Sequence, residues 1–135
     1  MKRISRIAVS MLIVLLAGVL LASLTAMAAG GPNVEKIKQR GELKVGVKAD
    51  VLGFGFKNLQ TGDFEGYEIE IARRIAREIL GDAKKIEFVP VTAKTRAALL
   101  DNGEVDMVIA TFTITPERRK IVDFSPVYYT DGIKL

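Results

Sequence analysis

Three short apolar runs, parted by two stretches of helical spacing, constrain this chain more than any other feature. Residues 43–47, 86–91 and 107–110 are apolar and rich in Val and Ile. They are too short for helices and read as strands buried on both faces of a parallel sheet. After the first run, Ile71, Ala72, Ile75, Ala76, Ile79 and Leu80 recur at helical spacing, while Arg73, Arg74, Arg77 and Glu78 lie off the stripe. This predicts an amphipathic helix from Tyr67 to Leu80, stopped by Gly81. Residues 95–102 predict a shorter helix before the third run, ended by Gly103. The order strand, helix, strand, helix, strand predicts an α/β sheet with right-handed crossovers and ligands at the carboxyl ends of the strands. A short helix capped by Asn33 and ended by Gly41 precedes it, and residues 54–58 and 63–66 predict a small hairpin excursion. No internal repeat is present.

The strand ends carry Lys48, residues 92–96, and Thr111 to Thr113. Beyond the third strand, Thr115 predicts a helix N-cap, with Pro116 at the first helical position, where no N–H is lost. Free backbone N–H groups, the hydroxyls of Thr111 and Thr113 and the guanidinium of Arg118 thus converge on one strand end. These are the parts of a carboxylate trap: a planar fork that can hold both oxygens, backed by the positive end of a helix. The plainer reading is a capped turn. Lys48 also reads as a solvated loop residue, whereas Arg96 at a helix start opposes the macrodipole, which argues against a merely structural choice. Phe54 and Phe56 are candidate pocket walls and Phe112 a candidate floor, although aromatics so placed also serve as core. Arg119 and Lys120 read as solvated, and Glu68 and Glu70 as acidic residues favouring a helix start. Asp101, Glu104 and Asp106 lack the spacing of a calcium loop, so no metal site is expected.

The chain has no His and no Cys. The usual general base, a thiolate nucleophile, soft-metal ligands, disulfides and a Cys-linked lipid anchor are therefore excluded. Ser125 is the one serine after residue 28, with nothing beside it to activate it. A non-enzymatic protein without cofactor is expected. Lys2, Arg3 and Arg6 precede an apolar run over residues 7–24, and Ala26, Met27 and Ala28 supply small residues for cleavage. Residues 1–28 thus read as a secretory signal cleaved after Ala28. The run approaches the roughly 20 residues of a spanning helix, so a retained anchor is the alternative. Removal leaves residues 29–135 and lowers the net charge from +4 to +1. The remaining basic residues are scattered among acidic ones, so nucleic acid is not an expected partner. A soluble, monomeric periplasmic protein is expected.

The run Gly66, Tyr67, Glu68, Ile69, Glu70, Ile71, with Ile75, Ala76 and Ile79 after it, resembles a signature of the polar amino-acid-binding family of periplasmic solute-binding proteins. Residues 111–120, followed by Asp123, Phe124, Ser125, Pro126, Val127, Tyr128 and Tyr129, resemble a second signature of that family, in the expected order. The resemblance runs from about residue 34 to residue 135. It implies the type II two-lobed fold, of which this α/β chain would be the first lobe, a mostly parallel sheet flanked by helices and truncated before the second lobe. It further implies the substrate-binding component of an amino-acid ABC importer, which closes two lobes about a hinge and delivers its ligand to a membrane permease. On this resemblance Arg118, with Thr113 and Thr111 nearby, holds the α-carboxylate. In relatives that bind aspartate or glutamate, cations matching Lys48 and Arg96 hold the side-chain carboxylate, and glutamine-binding relatives commonly lack that pair, so an acidic amino acid is the expected ligand, ahead of glutamine. The Asp that answers the ligand's ammonium stands in the second lobe of relatives. A dehydratase-like enzyme or the sensing lobe of a larger protein are the alternatives on the same fold. The first lobe of relatives is completed by a later return of the chain, which implies exposed apolar surface around Val127, Tyr128 and Ile133.

Overall fold

The computed structural model describes residues 31–132. The predicted signal segment, residues 1–28, and Ile133 lie outside them. The chain divides into two units, Met1–Glu35 and Lys36–Leu135, and the sheet and the candidate site belong to the second.

Helix α1 (Pro32–Arg40) begins one residue before the expected cap. It is ended by Gly41 at φ 77, whose N–H returns to the Ile37 carbonyl at 2.9 Å. Strand β1 (Leu43–Val47) follows and becomes the centre of a parallel three-stranded sheet, with β5 (Ile86–Pro90) on one side and β6 (Met107–Ile109) on the other. Leu43 aligns with Ile86, and Val45 with both Phe88 and Met107. A strand bonded on both edges and covered on both faces must be apolar throughout, which is why Leu43, Val45 and Val47 are buried. Gly46 keeps the sheet tight, because a Cβ there would meet Val91 Cγ1 at 3.0 Å and Val108 Cγ2 at 3.1 Å.

The excursion after β1 is a small antiparallel sheet of β2 (Asp50–Val51), β3 (Gly55–Lys57) and β4 (Phe64–Glu65). Its tight turn is held by Asn58, whose Oδ1 accepts the N–H groups of Gln60 and Thr61 at 2.9 and 3.3 Å. The hairpin expected from sequence is therefore present, with β2 as an additional edge. Helix α2 (Tyr67–Leu80) packs Ile69, Ala72 and Ala76 into the core, with Ile71, Ile75, Ile79 and Leu80 against its margin. Gly66 makes the approach to α2 possible. It sits at φ 124, and a Cβ on it would lie 2.3 Å from the Phe54 carbonyl oxygen.

The second crossover is shorter. Helix α3 (Arg96–Asp101) is preceded by a turn in which Thr92 N–H donates to Thr95 Oγ1 at 3.0 Å. Asp106, weighed above as a carboxylate cluster member, ties the sheet to α1. Its Oδ2 accepts the Lys44 N–H at 2.8 Å and pairs with Arg40. Beyond β6 the described residues are irregular except for one 3-10 turn, Arg118–Lys120. The helix expected after Thr115 is thus reduced to that turn. The strand order brings the carboxyl ends of β1 and β6 side by side, the position at which open α/β sheets take ligands.

Candidate ligand-binding site

Phe112, three residues past the end of β6 and two past the buried Ala110, is the centre of the candidate site. The Arg96 guanidinium lies 3.9 Å from its ring centroid and the Arg118 guanidinium 5.0 Å. Cations are attracted by the ring quadrupole, more so when desolvated. Phe124 meets the same ring at 5.3 Å, close to perpendicular.

Backbone carbonyls of the same loop fix both arginines. Arg96 Nη1 donates to Ala110 O at 2.7 Å and Thr111 O at 3.3 Å, and Arg118 Nη1 donates to Thr113 O at 2.7 Å. Arg96 is only 5% exposed although it is the first residue of a surface helix. Burial, and secondarily the charge of Arg118, hold its pKa below the ordinary value. A guanidinium starts so far above neutrality that it stays charged there. Among the described residues neither guanidinium lies within ion-pair distance of a carboxylate. Two oriented cations on one ring, with donors left over and no carboxylate within ion-pair distance, are the parts an anion site needs.

The loop that carries these carbonyls is strained and tied down. Thr111 has φ 47, the one non-glycine residue with positive φ among the described residues. For a β-branched residue that conformation costs on the order of 1–3 kcal/mol. Its N–H donates to Glu68 Oε1 at 2.6 Å, and the Tyr128 hydroxyl donates to the same oxygen at 2.6 Å. Further along, the Thr115 hydroxyl accepts the Arg118 N–H at 3.3 Å, so the expected capping contact forms. A single 3-10 turn supplies far less dipole than the helix expected there, and the anion field comes chiefly from the two guanidiniums.

Of the residues singled out from sequence, Arg96, Thr111, Phe112, Thr113 and Arg118 come together. Lys48 forms an ion pair with Asp50 at 2.8 Å, its own side chain 15% exposed and its partner 74%. Asp50 is held below its ordinary pKa mainly by that lysine. Phe54 packs edge-on against Tyr129 at 4.9 Å and Tyr67 at 6.3 Å, in an aromatic cluster separate from Phe112. Tyr67 also donates its hydroxyl to the Tyr128 carbonyl at 3.2 Å. Glu68 and Tyr128 were missed as site residues. The signal for Glu68 was available, since it lies four and eight residues before Ala72 and Ala76, on the buried stripe itself. Tyr128 offered no such sign.

The parallel sheet and its crossovers, with the candidate site at the carboxyl ends of the strands, define part of a type II periplasmic binding protein. Residues 43–135 match the bacterial extracellular solute-binding proteins, family 3, and the chain belongs to that family. It is 54% identical over 114 residues to the glutamine-binding protein of Geobacillus stearothermophilus, covering 84% of this chain and 44% of that one. To the ABC transporter glutamine-binding protein GlnH of Bacillus subtilis it is 43% identical over 143 residues, covering 100% of this chain and 51% of that one. The chain thus spans about half the length of the curated relatives it matches. Among solved structures, a variant of domain 1 of the arginine-binding protein of T. maritima, in its arginine-bound form, superposes with a TM-score of 0.66 at 34% identity. That match covers 73% of this chain and 74% of the other.

Proposed function

We propose that this chain supplies the carboxylate-binding lobe of an extracytoplasmic amino-acid receptor that serves an ABC importer. The observation that carries the reading is the pair of guanidiniums on Phe112, with Arg118 anchored on the Thr113 carbonyl and Arg96 on those of Ala110 and Thr111. Arg118, assisted by Thr111 and Thr113 of the same loop, takes the α-carboxylate common to all amino acids, and Phe112 gives the ligand an apolar floor. Residues 1–28 serve as the export signal, and the receptor hands its ligand as a monomer to a membrane permease.

For the side chain we infer an amide-bearing ligand, L-glutamine, ahead of the acidic amino acids expected from the sequence. The acidic reading needed Lys48 and Arg96 as a second cationic pair. Lys48 is already paired with Asp50, and Arg96 spends a donor on two carbonyls. The names of both curated relatives point the same way, and both are binding proteins. Calorimetric titration with L-glutamine, L-glutamate and L-aspartate tests the ligand. Binding of L-glutamine at least tenfold tighter than of either acid is expected, and the reverse order would restore Lys48 and Arg96 as a side-chain carboxylate site.

A further inference from the structure

Glu68 is fully buried, the second residue of α2, and ionisable. Its Oε1 takes two hydrogen bonds, from the Thr111 N–H and the Tyr128 hydroxyl, while Oε2 is buried without a partner. As a stabiliser of α2 this is a poor use of the position. An apolar side chain would continue the stripe of Ala72 and Ala76 without burying a charge or orphaning an oxygen. The arrangement acquires a purpose at its other end. Thr111 holds a backbone conformation that its side chain disfavours, and in that conformation its carbonyl and that of Ala110 both accept from Arg96 Nη1.

We propose that Glu68 is a positioning residue for the anion site: by holding the Thr111 N–H it fixes the left-handed turn whose carbonyls aim Arg96 at Phe112. This rests on the carboxylate reading of Arg96, Phe112 and Arg118. The Tyr128 hydroxyl on the same oxygen joins the segment after Phe124 to that turn, so one carboxylate organises three stretches of chain far apart in sequence. Glu68 also carries a negative charge near a site for anions. Positioning and charge act in opposite directions on affinity, which allows them to be separated. Removing a positioning group weakens anion binding, and removing a nearby negative charge strengthens it.

The test uses the full chain and its Glu68→Gln, Glu68→Ala and Arg118→Ala variants, followed by amide-resolved NMR during titration with L-glutamine. In Glu68→Gln the amide oxygen still accepts the Thr111 N–H while the charge is gone, so affinity is unchanged or rises by up to about threefold and the Thr111 amide remains protected from exchange. Glu68→Ala is expected to bind about tenfold more weakly or worse, with fast exchange at Thr111 while the Val45 amide in β1 keeps its protection. Unchanged affinity and an undisturbed Thr111 amide in Glu68→Ala would overturn the proposal, as would tighter binding in Glu68→Ala. If Glu68→Ala fails to fold, Glu68→Gln decides alone: a freely exchanging Thr111 amide or a loss of affinity beyond about threefold refutes the positioning role, and a protected amide with equal or higher affinity supports it. Arg118→Ala separates the two levels of argument. Loss of binding there with Glu68→Ala intact overturns the positioning role only, whereas wild-type behaviour in Arg118→Ala, or no response of the wild-type chain, removes the carboxylate reading and the positioning role together.

Discussion

Arg118 and Arg96 flank one ring, yet their removal should have different consequences. Arg118 is anchored by one carbonyl and begins the short 3-10 turn, where it is half-buried. Arg118→Ala should lower amino-acid affinity by about 2–5 kcal/mol, the loss typical when one partner of a desolvated charge pair is truncated. Its melting temperature should change little. Arg96 is buried and satisfies two carbonyls, so Arg96→Ala should destabilise the fold by about 1–3 kcal/mol as well as weaken binding. Melting and titration of the two variants side by side check both. Tyr128 gives a pH prediction. Its hydroxyl is desolvated and donates to Glu68, which pushes its pKa far above the ordinary phenol value even though the residue as a whole is 40% exposed. The unfolded chain then releases the phenolic proton first. The stabilisation is present in full below about pH 10 and is lost as the pH rises beyond it. Alkaline unfolding should therefore be shallower in Tyr128→Phe. At this scale the residues of the proposed site were legible as a group, because hydroxyls, a helix-start Pro and an Arg stand together at one strand end, although a capped turn was their plainer reading. Glu68 had its signal in the stripe of Ala72 and Ala76, but a carboxylate at a helix start also has an ordinary explanation in the macrodipole, and its partners depend on where a loop more than forty residues away returns.

Strands and helices were largely readable from period and punctuation. The runs at 43–47, 86–91 and 107–110 became β1, β5 and β6, and the stripe after Gly66 became α2 with little shift in its bounds. Elements set by long-range contacts were harder to read. The turn after Thr115 has the start signal of a helix, but only three residues continue it, and the chain then runs through Phe124 onto Phe112. Gly66 is the junction most sensitive to change. Both its positive φ and the approach of Phe54 exclude a side chain, so Gly66→Ala should cost about 2–4 kcal/mol, measured by denaturant unfolding. Lys48 offers the contrasting case. Its partner Asp50 is largely exposed, and such pairs contribute under about 1 kcal/mol, so Lys48→Ala should leave stability and L-glutamine affinity nearly unchanged.

Among the described residues, apolar side chains are exposed in the segment after Phe124 and in the turn between β2 and β3. Val127 is 66% exposed, Tyr129 52% and Leu52 81%, and Tyr129 continues into the cluster of Phe54 and Tyr67. The exposure expected around Val127 and Tyr128 is therefore present, while Ile133 lies outside the described residues. Binding of a hydrophobic dye to the folded chain is expected, and replacement of Val127 and Tyr129 by Ser should reduce it without unfolding the sheet. The central position of β1 has one more consequence, for the order of events when this chain is made. Leu43 finds its partner at Ile86 and Val45 at Met107, so the first strand synthesised has no neighbour until most of the chain is available. Closing such long loops must precede any reward from pairing, which makes folding slow and late. A chain built this way stays open while its tail is still being made, the state in which a polypeptide can be threaded through a narrow translocation channel before it collapses on the far side.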